Sequence, residues 1–274
     1  MEIELHDKLG ALAHPKRLDL FRLLMRRYPD SVPAGHIANA LALKANTTST
    51  YLNTLKQAGL IEQTRSGPSL HYTATLPEVR ALFGGLLGEC CQNRPDLCQT
   101  TSGDPVMTAK DRTLNALFIC TGNSARSIMA EAILRKEGAG VFNAYSAGTA
   151  PSAGPHPEVL ELLASKDHDI SELKSKSVDA FSGNDAPKMD FVFTVCDHAA
   201  NEECPAWPGQ PMSAHWGLPD PVKATGTEAQ KHLAFQQAYG LLRNRIAAFV
   251  SLPFETLDRM SLQHKVDDIG RMAG

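Results

Sequence analysis

The sequence has few aromatic residues, little net charge and no long apolar run. Aromatic residues make up 6% of its 274 positions, and the formal net charge at pH 7 is −3. No apolar stretch approaches the roughly 20 residues that cross a membrane, and no N-terminal signal segment is apparent. These features predict a cytoplasmic globular protein with no membrane partner. The length allows two domains, each with its own core.

The charges are divided unevenly along the chain. Residues 1–98 contain 11 Lys and Arg against 9 Asp and Glu, whereas residues 99–274 contain 16 against 21. A slightly basic first part favours nucleic acid as its partner. Residues 99–112 are rich in Thr, Ser, Asp, Gly and Pro without periodicity. They therefore predict a linker between domains at 1–98 and 113–274.

The stretch around Cys120 carries the strongest signal for chemistry. An apolar run from Leu114 to Ile119 predicts a buried strand, and helical spacing predicts a helix from about Ala125 to Glu137 with one apolar face. Cys120 therefore lies in a tight polar loop between a strand and a helix. In that geometry the loop N–H groups and the helix N-terminus point at one spot, which suits a tetrahedral oxyanion.

This loop contains the groups that nucleophilic chemistry on an oxyanion needs. The positive helix end is expected to lower the pKa of the Cys120 thiol, and the thiolate is the nucleophile. Arg126 can place its planar fork over the anion, and Ser127 can donate a hydrogen bond to the sulfur. The alternative is a buried cysteine beside a helix cap. The candidate oxyanion-binding loop is Thr121, Gly122, Asn123, Ser124, Ala125 and Arg126.

The motif Cys120-Thr-Gly-Asn-Ser-Ala-Arg-Ser127 resembles the active-site loop of the low-molecular-weight tyrosine phosphatase family, and within it the thiol-linked arsenate reductases. The resemblance extends from residue 113 to the C-terminus. It implies that Cys120 is the nucleophile and that Asp220, which precedes a proline, is the general acid that protonates the departing oxygen. Strands that alternate with helices also predict an α/β domain in three layers with a parallel sheet.

Six cysteines are present, at positions 90, 91, 98, 120, 196 and 204. In a reducing cytosol they favour catalysis or soft-ion binding over structural disulfides. The resemblance to arsenate reductases implies a relay in which Cys120 attacks arsenate, Cys196 attacks Cys120 and releases arsenite, and Cys204 attacks Cys196. The Cys196–Cys204 disulfide would be reduced from outside, and no tightly bound cofactor is expected.

Two features leave the external reductant open. Seven residues separate Cys196 from Cys204, one more than in thioredoxin-linked relatives of this type, and Ala125 stands where some of them carry a cysteine. Thioredoxin, glutaredoxin and a small thiol therefore remain alternatives.

The N-terminal part has the order of elements of a winged helix-turn-helix domain. A helical stretch from Leu9 to Met25, in which Pro15 opens a new helix, is followed by helices at Val32–Leu41 and Ala45–Gly59. Two strands around residues 66–69 and a helix from Pro77 to Cys91 complete the pattern. The helix at Ala45–Gly59 is the predicted recognition helix, capped by Asn46 or Thr47. The predicted DNA-contacting residues, one of them on the wing, are Asn46, Thr47, Thr48, Ser49, Tyr51, Asn53, Lys56 and Arg65.

The segments Ala13-His-Pro-Lys-Arg-Leu18 and Leu55-Lys-Gln-Ala-Gly-Leu60, together with the wing, resemble ArsR-type repressors. The resemblance implies a homodimer, formed through the N-terminal domain, on palindromic operator DNA. Three thiolates suit trivalent arsenic, a soft ion, so arsenite is the predicted inducer. The predicted arsenite ligands are Cys90, Cys91 and Cys98.

Other interpretations of these three cysteines stay open. Cys90 and Cys91 can instead pack in the dimer helix, with Cys98 incidental. A tetrahedral zinc site would need a fourth ligand, for which His36, His71 or water remain.

Three functions fit the sequence. The first is an arsenic-responsive transcriptional repressor fused to an arsenate reductase. The second is a low-molecular-weight protein tyrosine phosphatase fused to a DNA-binding domain, in which Cys196 and Cys204 are inert. The third is a binding module whose two thiol sets both sense arsenite. Because arsenate and phosphate are similar in size and charge, only the relay cysteines favour the first.

Overall fold

The computed structural model describes residues 4–86, 90, 112–183, 186–201, 211–257 and 259–272. The chain forms two compact units, Met1–Asp104 and Pro105–Gly274. Three of the predicted functional cysteines lie outside the described residues, as does the predicted linker apart from its last residue. These cysteines are Cys91, Cys98 and Cys204.

The first unit has the predicted order of helices followed by a hairpin wing. Its three-stranded sheet is antiparallel in the order β1-β3-β2. Residues 32 and 33 form a short strand on β3, so the predicted helix at Val32–Leu41 begins only at Ala34. The elements are α1 Leu5–Leu12, α2 Pro15–Arg27, β1 Val32–Pro33, α3 Ala34–Ala40, α4 Ala45–Gln57, β2 Ile61–Ser66, β3 Ser69–Ala74 and α5 Leu76–Gly85.

Helix α4, the predicted recognition helix, is not capped as the sequence predicts. Its N-cap residue is Lys44, which makes no side-chain cap hydrogen bond. The prediction that Asn46 or Thr47 caps the helix is therefore wrong. At the other end Gly59 has a φ of 71°, a conformation that glycine adopts without steric cost. It ends the helix as predicted.

The second unit is an α/β domain with a four-stranded parallel sheet in the order β5-β4-β6-β7. Short 3₁₀ helices span Val178–Phe181 and Pro221–Lys223. The longer elements are β4 Leu114–Cys120, α6 Arg126–Glu137, β5 Phe142–Gly148, α7 Pro157–Ser165, β6 Phe191–Thr194, α8 Asp197–Asn201, β7 Met212–His215, α9 Glu228–Val250 and α10 Arg259–Gly270.

Both faces of this sheet are covered, in agreement with the predicted α/β fold. Phe118 and Phe193 lie on one face and stack at 5.4 Å between ring centroids, and Phe249 of α9 packs edge-on against Phe193. Tyr145 lies on the opposite face, because neighbouring strand residues alternate, and it contacts Phe181 of the first 3₁₀ helix.

Helix α6 forms the centre of the domain. Every residue from Ser127 to Leu134 is buried, since the helix packs on β4 and β5 and against α7 and α9. The expectation of a single apolar face is therefore wrong. A helix that is buried all round needs no amphipathic pattern.

No helix in the described ranges is long and apolar enough to cross a membrane.

Candidate active site

Cys120 lies at the carboxyl end of β4, an interior strand of the sheet. The chain passes from β4 to β5 on one side and later to β6 on the other, so the strand order reverses at β4. Open α/β sheets bind ligands at such a switch point, outside the carboxyl ends of the strands. Cys120 is 3% exposed.

The loop after Cys120 is held by its carbonyl groups. Asn123 O accepts a hydrogen bond from Ser175 Oγ at 2.6 Å. Because C=O and N–H point in opposite directions across a trans peptide, the loop N–H groups face the other way. Accordingly, Asn123 N–H donates to Cys120 Sγ at 3.1 Å. Four further carbonyls accept from backbone N–H groups of residues 149–156: Cys120 from Thr149, Thr121 from Ala150, Gly122 from Ser152 and Ser124 from His156.

Two glycines allow this close packing. A Cβ at Gly148 would lie 2.5 Å from Thr121 O and 3.0 Å from Asn123 N, and one at Gly122 would lie 2.9 Å from Ser152 Oγ. The backbone of Asn123 itself has a φ of 46°, in the left-handed region that asparagine tolerates better than most residues. The loop conformation thus depends on two small residues and one asparagine.

The buried side chain of Asn123 orients the hydroxyl that faces the thiol. Asn123 Nδ2 donates to Ser127 Oγ at 2.9 Å, and Ser127 Oγ lies 3.0 Å from Cys120 Sγ. Because Ser127 Oγ accepts from the amide, its own proton is free to point at the sulfur. Asn123 Oδ1 accepts from the backbone N–H of Lys176 at 2.7 Å, which fixes the amide orientation.

The same amide connects the loop to a buried carboxylate. Asn123 Nδ2 also donates to Ser146 Oγ at 2.8 Å, and Ser146 Oγ donates to Glu131 Oε2. Lys176 Nζ at 3.0 Å and Arg135 Nη2 at 2.7 Å balance the charge of Glu131. This support was not predicted from the sequence. The available signal was a glutamate between two alanines in an apolar stretch of helix.

Burial raises the pKa of the Cys120 thiol, and this effect outweighs the others. The hydrogen bond with Ser127 lowers the pKa, the neighbouring Cys196 raises it, and the backbone N–H groups of Asn123 and Ser127 lower it. The expected lowered pKa is therefore wrong for this structure. A raised pKa favours the protonated thiol.

Arg126 and Asp220 come together at the mouth of the loop. Arg126 Nη2 donates to Asp220 Oδ2 at 2.8 Å, and its Nη1 donates to Leu218 O at 3.1 Å. The other carboxylate oxygen of Asp220 accepts from Val222 N–H at 3.2 Å, at the start of the second 3₁₀ helix. Asp220 is thus oriented beside the loop. That Arg126 folds over a bound anion stays a prediction.

Cys196 lies beside the same loop and is also 3% exposed. Its Sγ is 3.6 Å from Thr121 Oγ1 and accepts from Ala199 N–H at 3.4 Å. The pairing of β4 with β6 continues up to this residue, since Val195 N–H donates to Ile119 O at 2.8 Å. Two of the three predicted relay thiols therefore lie at the same loop.

The predicted DNA-contacting residues differ in their exposure. Thr48 is 1% exposed and its hydroxyl donates to Lys44 O at 3.1 Å, so its prediction as a contact is wrong. Tyr51 and Thr47 are half-buried, and Tyr51 Oη lies 3.4 Å from His14 Nε2. Thr50 is also exposed on the same helix. The remaining predicted residues are exposed, and they are Asn46, Ser49, Asn53, Lys56 and Arg65.

Cys90 is exposed and has a free thiol. Among the residues that the structure describes, no group of three His, Cys, Asp or Glu side chains is arranged to hold a metal ion. The predicted arsenite ligands stay a prediction, because Cys91 and Cys98 lie outside those residues.

Comparison with known proteins identifies both parts of the chain. Residues 115–263 match the family described as low molecular weight phosphotyrosine protein phosphatase, and residues 12–64 match a helix-turn-helix domain. Over 132 residues the chain is 39% identical to an arsenate reductase from Oceanobacillus iheyensis, and the match covers 48% of this chain and 91% of that protein.

Solved structures are similar to each part separately. An arsenate reductase from Archaeoglobus fulgidus is 25% identical with a TM-score of 0.40, covering 50% of this chain and 99% of that one. A homodimeric winged helix-turn-helix domain from Mycobacterium bovis, a possible ArsR-family transcriptional regulator, is 27% identical with a TM-score of 0.26. That match covers 32% of this chain and 82% of the other.

The family match spans more than half of the chain, and it contains the loop, both buried thiols and the Arg126–Asp220 pair. The chain therefore belongs to the low molecular weight phosphotyrosine protein phosphatase family, with a domain similar to arsenate reductases that follows a helix-turn-helix domain.

Proposed function

We propose that the C-terminal domain reduces arsenate to arsenite through a cysteine relay, and that the N-terminal domain is an arsenite-responsive repressor. The observation that carries the enzymatic part is the second buried thiol, because Cys196 Sγ lies 3.6 Å from the Thr121 hydroxyl of the Cys120 loop. A phosphatase needs one thiol and water. A reductase needs two electrons, which a pair of thiols supplies when it forms a disulfide.

The first step is attack of Cys120 on arsenate. The loop N–H groups and the N-terminus of α6 face the position of the anion. Ser127 stabilises the sulfur by a hydrogen bond. The arsenate dianion takes the thiol proton, which gives the attacking thiolate. A sulfur–arsenic bond then forms while one oxygen leaves as water. Asp220 supplies the proton for that oxygen, and Arg126 exchanges its carboxylate partner for arsenate oxygens.

The second step transfers the electrons. The thiolate of Cys196 attacks Cys120 Sγ, the new disulfide forms, and the sulfur–arsenic bond breaks with its electron pair on arsenic. Arsenic is thereby reduced from the pentavalent to the trivalent state, and the two thiols are oxidised. Attack by Cys204 on Cys196 regenerates Cys120. An external thiol reductant, thioredoxin or glutaredoxin, then reduces the Cys196–Cys204 disulfide.

Phosphoester hydrolysis is the alternative activity of the same site. Cys120, Arg126 and Asp220 suffice for it, and the family to which the chain belongs takes its name from this reaction. The two activities differ in their need for Cys196, which gives a direct test.

Cys196→Ser is expected to lower arsenate turnover at least about 100-fold, because an intramolecular thiol has a very high effective concentration. Hydrolysis of p-nitrophenyl phosphate should stay within about twofold of wild type, since it needs no second thiol. Arsenate turnover is measured with thioredoxin and its reductase, and separately with glutaredoxin and glutathione. Cys90→Ser, at an exposed cysteine outside the site, is the control. Unchanged arsenate turnover would favour the phosphatase, and equal loss of both activities would assign Cys196 a structural role.

The proposed repressor function rests on the winged helix-turn-helix unit. Helix α4 exposes Asn46, Ser49 and Asn53. Lys56 lies at the end of that helix, where its Nζ donates to Gln63 Oε1 of β2 at 3.0 Å. Short polar side chains are suited to base edges and a lysine to the phosphate backbone. We propose that this face, in a homodimer, binds palindromic operator DNA.

Lys56→Gln should weaken operator binding by the full-length protein several-fold and reduce the dependence of log K on log salt by about one unit, as expected for one lost phosphate contact. Thr48→Val, a change of similar volume at a buried position of the same helix, should leave the affinity within about twofold. Fluorescence anisotropy between low and moderate salt measures both. A Lys56→Gln protein with the wild-type salt dependence would remove Lys56 from the interface.

A further inference from the structure

We propose that His215 is a positioning residue for Cys196: it clamps the turn that carries this thiol and so holds it beside the Cys120 loop. The proposal rests on the cysteine relay described above. His215 does not touch the reacting atoms and acts through its two neighbours, Thr194 and Asp197.

The clamp consists of one imidazole with a partner on each nitrogen. His215 Nδ1 lies 2.8 Å from Thr194 Oγ1, and His215 Nε2 lies 3.0 Å from Asp197 Oδ1. Thr194 is the last residue of β6 and Asp197 is the first of α8. Cys196 lies between them, so the ring spans the strand-to-helix turn that carries the thiol.

The imidazole of the clamp is buried in the fold, whereas the side chain of Asp197 is 74% exposed. The side chain of His215 is 6% exposed, and β7 pairs with β6 so that residue 215 is in register with Thr194. A Cβ at Gly217 would overlap His215 Nε2 and would lie 3.4 Å from Asp197 Oδ1. Because glycine has no Cβ, the imidazole of His215 has room to contact the carboxylate of Asp197.

The carboxylate determines the hydrogen-bond direction. Asp197 accepts, so Nε2 carries a proton, and Nδ1 of a neutral ring accepts from the Thr194 hydroxyl. One neutral imidazole can thus form both hydrogen bonds, with Thr194 and with Asp197. The backbone pairing that ends at Val195 and the hydrogen bonds of Cys196 itself, including the 3.6 Å contact with Thr121, also hold the turn. A small displacement of a reacting thiol lowers the reaction rate strongly, by up to about 100-fold for 1 Å.

The test follows disulfide formation between Cys120 and Cys196 without arsenate. Full-length protein with Cys204→Ser is treated with diamide, which takes one hydrogen from each thiol and is itself reduced to the hydrazine. Alkylation stops the reaction, and mass spectrometry measures the linked peptide over time. His215→Phe keeps a planar ring without nitrogens and should slow formation about tenfold or more. Gly217→Ala should slow it similarly, although the imidazole is intact.

Controls separate positioning from general destabilisation. His215→Gln offers a donor and an acceptor and should recover the rate to within about threefold of wild type. His264→Phe, at an exposed histidine on α10, should have no effect. Binding of inorganic phosphate to the Cys120 loop, followed by calorimetry, should change less than about twofold in all of them, whereas a disordered domain would lose it. If His215→Phe fails to fold, Thr194→Val removes one arm of the clamp with little change of shape.

The outcomes distinguish this inference from the proposed function. Wild-type rates in both Thr194→Val and Gly217→Ala would overturn the role of His215, even if arsenate reduction is confirmed. Slowed disulfide formation in these variants supports the clamp, even if arsenate is not the substrate. A wild-type chain that never links Cys120 to Cys196 overturns the relay and the clamp together.

Discussion

Cys120→Ser is expected to abolish arsenate reduction, with kcat lower by roughly four orders of magnitude or more, because removal of a covalent nucleophile leaves only binding and oxyanion stabilisation. It should also abolish hydrolysis of p-nitrophenyl phosphate, which distinguishes it from Cys196→Ser. Serine has nearly the same shape as cysteine, and its hydroxyl can still form a hydrogen bond with Ser127. The comparison therefore isolates the sulfur. Turnover is followed by reductant consumption and by direct detection of arsenite.

The control for this variant is its affinity for the anion. Phosphate binding to Cys120→Ser should stay within about tenfold of wild type, since the loop N–H groups and Arg126 are unchanged. Arsenate reduction at the wild-type rate would show that another thiol is the nucleophile. Loss of phosphate binding together with activity would mean that the substitution disrupts the loop, and the nucleophile would then have to be identified by trapping the thiol–arsenic adduct.

The loop was predictable because its chemistry lies within one continuous stretch. Cys120, Arg126 and Ser127 follow a strand and open a helix, so the sequence alone indicates which groups converge. Asp220 required a family resemblance, because nothing local shows that an Asp-Pro turn lies near the loop. In the structure its contact is the 2.8 Å ion pair with Arg126.

The supporting network was not predictable in this way. Asn123, Ser146 and Glu131 come from a loop, a strand and a helix, and only tertiary packing brings them together. The predicted direction of the pKa shift at Cys120 was wrong for the same reason. A helix N-terminus can be inferred from sequence, but the desolvation that raises the pKa depends on how completely the domain buries the thiol.

Some elements of the fold have strong local sequence signals and others have weak ones. Thr227 and Gln230 form the capping box that starts α9, and such a pair can be recognised in sequence. Strand β7, Met212–His215, was missed since its residues have no β-branched side chain and it is short. Thr48 was misassigned because a polar residue on a helix carries no information about its face until the apolar residues around it are packed.

The second large effect expected is complete loss of the arsenite response when Cys90, Cys91 and Cys98 are all replaced by serine. Arsenite can release the protein from operator DNA only if it binds the DNA-free form better than the DNA-bound form, because equal affinity shifts nothing. Three thiolates around one arsenic atom would fix the segment that follows α5, which favours one arrangement of the dimer. In a gel-shift titration on operator DNA, wild type should be released by arsenite and the triple variant should stay bound at all concentrations tested.

Arsenate links this response to the enzyme. With reductant present, arsenate should release wild-type protein from operator DNA, because the proposed reductase activity of the C-terminal domain makes arsenite. Cys120→Ser should respond to arsenite but not to arsenate, whereas the triple serine variant should reduce arsenate at the wild-type rate and ignore both. One variant thus loses the response to arsenate and the other loses the response to arsenite. A general loss of folding would not produce this difference. Continued release of the triple variant by arsenite would place the sensor elsewhere in the chain, and release of Cys120→Ser by arsenate would mean that arsenate itself is an inducer.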